Sequence, residues 1–90
     1  METVHLLISG KVQGVFFRNS ARMIAEKLQV TGWIKNTSHE KVEAMVTGDG
    51  RAINEFINWC KKGPERATVT DVKISKQPET LFEDFRIARN

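Results

Sequence analysis

Ninety residues, 40% of them hydrophobic and 28% charged, describe one globular unit over residues 1–90 with a modest core, and exclude both a two-domain chain and a disordered one. Fourteen Lys and Arg against 11 acids leave a net charge of +3, but the longest purely basic run is Lys61-Lys62, which excludes a dense basic tail for nucleic acid. No apolar run approaches the roughly 20 residues of a membrane-spanning helix, the start Met1-Glu2-Thr3-Val4 does not read as a signal peptide, and Cys60, the only cysteine, rules out an internal disulfide, so a reducing cytoplasm is the expected compartment.

Along the chain, Val4, Leu6 and Ile8 alternate with His5, Leu7 and Ser9, the period of a strand with one buried face. Residues 10–17 follow as a loop with glycines at 10 and 14. Over residues 18–30 the apolar positions Ala21, Ile24, Ala25 and Leu28 fall at helical spacing, with Arg22, Glu26 and Lys27 left to water and Gly32 as the stop signal. Residues 32–36 are a second strand. Five residues, 37–41, then suffice for a hairpin into a third strand, where Val42, Ala44 and Val46 alternate with Glu43, Met45 and Thr47.

Asp49 is suited to N-cap a second helix. That helix buries Ile53, Phe56, Ile57 and Cys60 and stops at Gly63-Pro64. Residues 67–75 form a fourth strand whose alternation changes phase between Val69 and Val72, as a bulge or a twist would cause. Residues 82–88 form a short fifth. The order βαββαβ plus a fifth strand predicts an α+β fold of the split βαβ, ferredoxin-like kind: one mostly antiparallel sheet with two helices on one face. In that topology the first two strands are parallel with the third between them. Their C-terminal ends share one edge of the sheet, about 10 Å apart at two strand spacings. The loop 10–17 leaves one of those ends, and Asn36 sits at the other.

The segment Gly10-Lys11-Val12-Gln13-Gly14-Val15-Phe16-Phe17-Arg18 therefore joins a strand to a helix start. Helix N-terminal N–H groups lack internal partners and carry the positive end of the dipole, so such a junction is a phosphate site. Glycines let successive N–H groups converge on one anion. Arg18 adds a planar, always-charged fork. The loop is neither a Walker A motif nor Gly-x-Gly-x-x-Gly, and on its own it is equally compatible with a plain tight turn beside a surface arginine.

This segment resembles the signature Gly-x-Val-Gln-Gly-Val-x-Phe-Arg of the acylphosphatase family. Gly32-Trp33-Ile34-Lys35-Asn36-Thr37 resembles the family's second signature, Gly-Trp-Val-x-Asn, and Trp59-Cys60-Lys61-Lys62-Gly63-Pro64 looks like the end of its second helix. The resemblance spans nearly the whole chain, and it implies hydrolysis of acyl phosphates, the mixed anhydrides of a carboxylic acid and phosphoric acid. It implies that Arg18 and the backbone of Gln13, Gly14, Val15, Phe16 and Phe17 hold the phosphoryl group and that Asn36 positions the attacking water. It further implies no cofactor, no metal and no covalent intermediate. Such a chemistry is self-consistent: charge neutralisation plus an in-line nucleophile suffices for phosphoryl transfer, and a carboxylate leaving group needs no strong general acid.

The family often carries Asp-Gly where this chain has Ser38-His39-Glu40, which leaves the hairpin shape open. Thr37 is expected to support Asn36 through its hydroxyl, His39 to be a solvated turn residue, and Cys60, Trp33 and Trp59 to pack. Phe16 and Phe17 either line the entrance or anchor the loop in the core. The expected partner is a small acyl phosphate, with no nucleic acid, no membrane and a monomeric state. Two other classes compete: a non-catalytic anion sensor, and a ferredoxin-like RNA-binding module. The second would stack bases on exposed aromatics of its central strands, where this chain places Leu7, Ser9, Glu43 and Met45.

Overall fold

A computed structural model describes residues 1–89. Seven elements follow one another: β1 (Glu2–Lys11), α1 (Phe17–Leu28), β2 (Thr31–Asn36), β3 (Val42–Gly48), α2 (Gly50–Lys62), β4 (Thr68–Gln77) and β5 (Phe85–Ile87). The sheet order is β4-β1-β3-β2-β5. Antiparallel pairings join β1 to β3 and β4, and β2 to β3, whereas β5 runs parallel to β2. The split βαβ arrangement is thus observed, with β3 between the parallel β1 and β2.

Alternation places Val4, Leu6, Ile8, Ile34, Val42, Ala44 and Val46 on the covered face, all buried. The apolar stripes of the two helices close over them: Ala21 and Ala25 from α1, Ala52, Ile53, Phe56, Ile57 and Cys60 from α2. Phe17 meets Trp59 edge-on with centroids 5.3 Å apart, which ties the start of α1 to α2. Burial pushes the Cys60 thiol well above its ordinary range, since a thiolate would have to form without solvent. The Asp49 cap is present, its side chain accepting from the Ala52 N–H at 2.9 Å.

Several boundaries differ from the expectation: β1 continues through Lys11 into the expected loop, and β4 spans Thr68–Gln77 rather than residues 67–75. Helix α1 ends at Leu28 rather than at residue 30. Gln29 adopts the left-handed conformation (φ 58°), and the Val30 N–H donates to Ala25 O at 2.8 Å, a C-terminal wrap that closes the helix. Gly32 is therefore not the stop signal. It lies within β2 at φ 139°, where a Cβ would meet Met45 O at 1.9 Å, so glycine is required by the close approach of β3. Strand β5 is confined to three residues. The fourth-strand bulge is borne out: Ser9 pairs with Asp71 and Gly10 with Val69, leaving Thr70 as the extra residue.

Residues 78–84 carry the chain from one sheet edge to the other. They are fastened at Thr80, whose N–H donates to Thr3 Oγ1 (2.9 Å) and whose carbonyl accepts from Thr47 Oγ1 (2.6 Å). The two buried threonine hydroxyls are themselves 2.7 Å apart. The open face of the sheet carries His5, bonded to Glu43 at 2.7 Å, and Trp33 with the Lys35 ammonium 5.5 Å from its ring centroid. No helix among the described residues is long and apolar enough to cross a membrane.

Candidate active site

The loop between β1 and α1 is held by every second or third side chain. Val12, Val15 and Phe17 are buried in the core, while Gly14 and Phe16 stay exposed. Of the two phenylalanines, Phe17 is the anchor and Phe16, 70% exposed, stands at the surface. Gly14 has φ 72° with nothing within 4 Å of the position a Cβ would take, so dihedral freedom rather than space selects glycine there. Phe16 has φ 63° and ψ 25°, left-handed values that a bulky residue rarely adopts. A left-handed residue directly before right-handed helix turns successive N–H groups toward one point.

Phe16 is also the N-cap of α1, and it supplies no side-chain hydrogen bond; the first turn contains no acid. The N–H groups at the head of the helix, with the dipole behind them, therefore have no side-chain cap. Half-buried Arg18 lies in that first turn. Among the described residues no carboxylate comes within 4.0 Å of it, so its charge is not already committed to an ion pair.

Asn36 is the last residue of β2. Gly14, Phe16, Arg18 and Asn36 all line one cleft of about 1050 Å³. The topology makes this inevitable once β3 separates β1 from β2, because both strands end at the same edge. Gln13, Val15 and Phe17 are not among the residues that line the cleft. The Gln13 side chain instead turns to the β2–β3 hairpin, donating from Nε2 to Thr37 O and to Lys41 O, each at 2.9 Å.

That hairpin is closed without Asp-Gly. Thr37 N donates to Lys41 O at 2.8 Å, and Glu40 takes the left-handed conformation at φ 63° that glycine would otherwise fill. Thr37 uses its hydroxyl within the turn. Its Oγ1 accepts from the N–H groups of His39 (3.2 Å) and Lys41 (3.1 Å), which satisfies the turn's own backbone. His39 is exposed, lies outside the cleft and bonds weakly to Ser38.

The sequence reading missed the rest of the cleft. Arg22 and Glu26 extend it along α1, and residues 84–89 form its opposite wall. Arg22 carried a signal, being four residues from Arg18 on one helix face. The wall of β5 carried none, because it depends on a three-residue parallel pairing with β2. Among the described residues, no group of three His, Cys, Asp or Glu side chains is placed to hold a metal ion.

A glycine-containing loop at a strand–helix junction, an arginine beside it and a polar amide opposite line one cleft of an α+β protein of the split βαβ class. Comparison with known proteins makes this specific. The acylphosphatase family model matches residues 4–87. A curated acylphosphatase of Coxiella burnetii is 44% identical over 84 residues, covering 93% of this chain and 88% of that protein. One of Hahella chejuensis is 51% identical over 72 residues, 80% of this chain and 76% of its own. Among solved structures, the Coxiella burnetii acylphosphatase superposes with a TM-score of 0.93 at 42% identity, covering 97% of this chain and 92% of that one. The Bacillus subtilis acylphosphatase does so with 0.92 at 31% identity, covering 99% and 100%. The chain belongs to the acylphosphatase family, and the activity of that family, acyl phosphate hydrolysis, makes it a hydrolase.

Proposed function

We propose that this chain hydrolyses acyl phosphates without a metal or a covalent intermediate, with Arg18 and the backbone N–H groups of residues 13–18 holding the phosphoryl group and Asn36 orienting water. The observation that carries this reading is the convergence of Arg18 and Asn36, from separate elements, on one cleft beside an uncapped helix start. In the step, the water oxygen forms a bond to phosphorus as the bond from phosphorus to the acyl oxygen breaks. The carboxylate departs with its electron pair, and the water proton goes to the phosphate formed.

Asn36 suits the water, since its carbonyl accepts from it while its amide donates to phosphate or carboxylate. It cannot take a proton at neutral pH, so the phosphoryl oxygens are the acceptor. Arg18 and preorganised N–H donors neutralise the equatorial oxygens, the task a metal performs in other phosphoryl-transfer enzymes. A good leaving group makes that sufficient.

The test is hydrolysis of benzoyl phosphate in the presence of EDTA by the wild type, Arg18→Ala and Asn36→Ala. Turnover by the wild type that collapses in both variants supports the assignment. Dependence on added divalent metal would overturn the metal-free step, and full activity in either variant would remove that residue from the mechanism.

A further inference from the structure

We propose that the groove between α1 and β5 receives the acyl half of the substrate, and that Arg22 recognises a second anionic group on it, so that acyl phosphates ending in a carboxylate are the preferred class. The inference rests on the hydrolase reading above. In-line displacement places the leaving oxygen on the far side of phosphorus from the attacking water. Water held at Asn36 therefore directs the acyl half away from the end of β2. Helix α1 begins at that end of the sheet and runs back toward the start of β2, as a crossover between parallel strands must. The cleft follows it, from Asn36 past Arg18 to Arg22 and Glu26, with Asp84 and Arg86 opposite.

Its volume, about 1050 Å³, is that of a site for a whole small molecule rather than for a phosphate ion. Arg18 and Arg22 are one turn apart, about 6 Å along the helix axis, the reach of a short acyl chain. Exposed Phe16, which lines the cleft, gives the carbon segment an apolar surface.

The charge balance selects the class. Asp84 is already held by Arg86 at 3.0 Å. Arg22 has no carboxylate within 4.0 Å among the described residues, although Glu26 lies one turn on. Arginine ahead of glutamate is the weaker order for a helical pair. With Arg18 engaged by the phosphoryl group, the remaining cations of the cleft are Arg22 and Arg89, against Glu26. An acyl group with its own carboxylate meets a favourable field there, and a neutral one gains nothing from it. Arg22 is solvent-exposed, so the preference is modest, roughly two- to fivefold in kcat/KM.

The experiment compares kcat/KM for succinyl phosphate and butanoyl phosphate, which differ by a carboxylate in place of a methyl group. It uses the wild type, Arg22→Gln, Arg22→Glu and Glu26→Gln at low and high salt. The expected result is a wild-type preference for succinyl phosphate that shrinks with salt, falls to near unity in Arg22→Gln, inverts in Arg22→Glu and grows in Glu26→Gln. Hydrolysis of both substrates with a ratio that Arg22→Gln and Arg22→Glu leave unchanged overturns the role of Arg22 alone. Hydrolysis of neither by the wild type overturns the hydrolase reading, and this inference with it.

Discussion

The side-chain amide of Gln13 donates to the carbonyl of Thr37 at 2.9 Å, and the same nitrogen reaches Lys41 O at the same distance, so the anion loop and the Asn36 hairpin are fastened by one residue. Thr37 follows Asn36 directly. A shift of the hairpin relative to the loop would move Asn36 relative to Arg18, the two residues to which the proposed mechanism gives the water and the phosphoryl group. Gln13→Ala leaves two part-buried carbonyls without this donor, at about 1–3 kcal/mol of stability. On the proposed mechanism, kcat falls by about tenfold or more through misplacement of Asn36. Thermal denaturation and steady-state kinetics check both, and a stable variant with unchanged kcat would show that the clamp is structural only.

Arg18→Ala removes a full charge as well as two donors. Loss of one preorganised donor at a developing anion costs about 3–4 kcal/mol, so the variant should lose at least a hundredfold to a thousandfold in kcat/KM. Arg18→Lys should recover little, because a point charge lacks the bidentate fork. Binding of inorganic phosphate, followed by calorimetry, should weaken in parallel.

Asn36→Ala should divide differently between kinetic parameters. Removal of a water-orienting group lowers kcat while KM stays near the wild-type value. A raised KM with intact kcat would instead make Asn36 a substrate-binding residue.

The backbone of Phe16 provides a stability prediction. A left-handed residue with a Cβ carries about 1–2 kcal/mol of strain, and the side chain is exposed, so little packing is lost on truncation. Phe16→Gly should relieve the strain against its own loss of chain entropy, and Phe16→Asn should relieve it more cleanly. A rise in Tm of a few degrees is expected for a net gain near 1 kcal/mol in a chain of this size. A fall in Tm would mean that the ring makes contacts that outweigh the strain.

Cys60 gives the chain an alkaline limit. Its thiol is pushed up in the folded state, whereas the unfolded chain titrates near the ordinary value of about 8.5. The folded-state pKa is raised, so this contribution is fully present below the unfolded value and is lost as pH rises above it. The slope approaches about 1.4 kcal/mol per pH unit. Denaturant titrations from pH 8 to 10 should show the loss, and Cys60→Ala should remove that pH dependence despite its lower stability at pH 7. The native thiol should also resist a thiol reagent until the protein unfolds.

Elements with a sustained period were legible from sequence because their pattern is local: the alternation of Val4, Leu6 and Ile8, the stripe from Ile53 to Cys60, the Asp49 cap. The placing of Gly14 and Arg18 at one cleft was legible for the same reason, since they lie on one short segment. What escaped depends on contacts between segments far apart. Gly32 was read as a helix stop because glycine marks both ends and close approaches, and only the position of Met45 O distinguishes them. The clamp of Gln13 spans 24 and 28 residues, and no local pattern encodes it. The acceptor role of the Thr37 hydroxyl toward the N–H groups of His39 and Lys41 depends on the left-handed Glu40, which the residue types of the turn do not announce.

Helix α1 starts without a side-chain cap, and on the proposed mechanism the missing acceptor arrives with each substrate molecule. Occupancy and folding are then thermodynamically linked. An anion that binds only the folded state adds RT ln(1 + [L]/Kd), about 2.7 kcal/mol at a hundredfold excess over Kd. On that mechanism the protein is least stable when idle, and inorganic phosphate, the product of the proposed reaction, would act as a reversible stapling ligand for the head of α1.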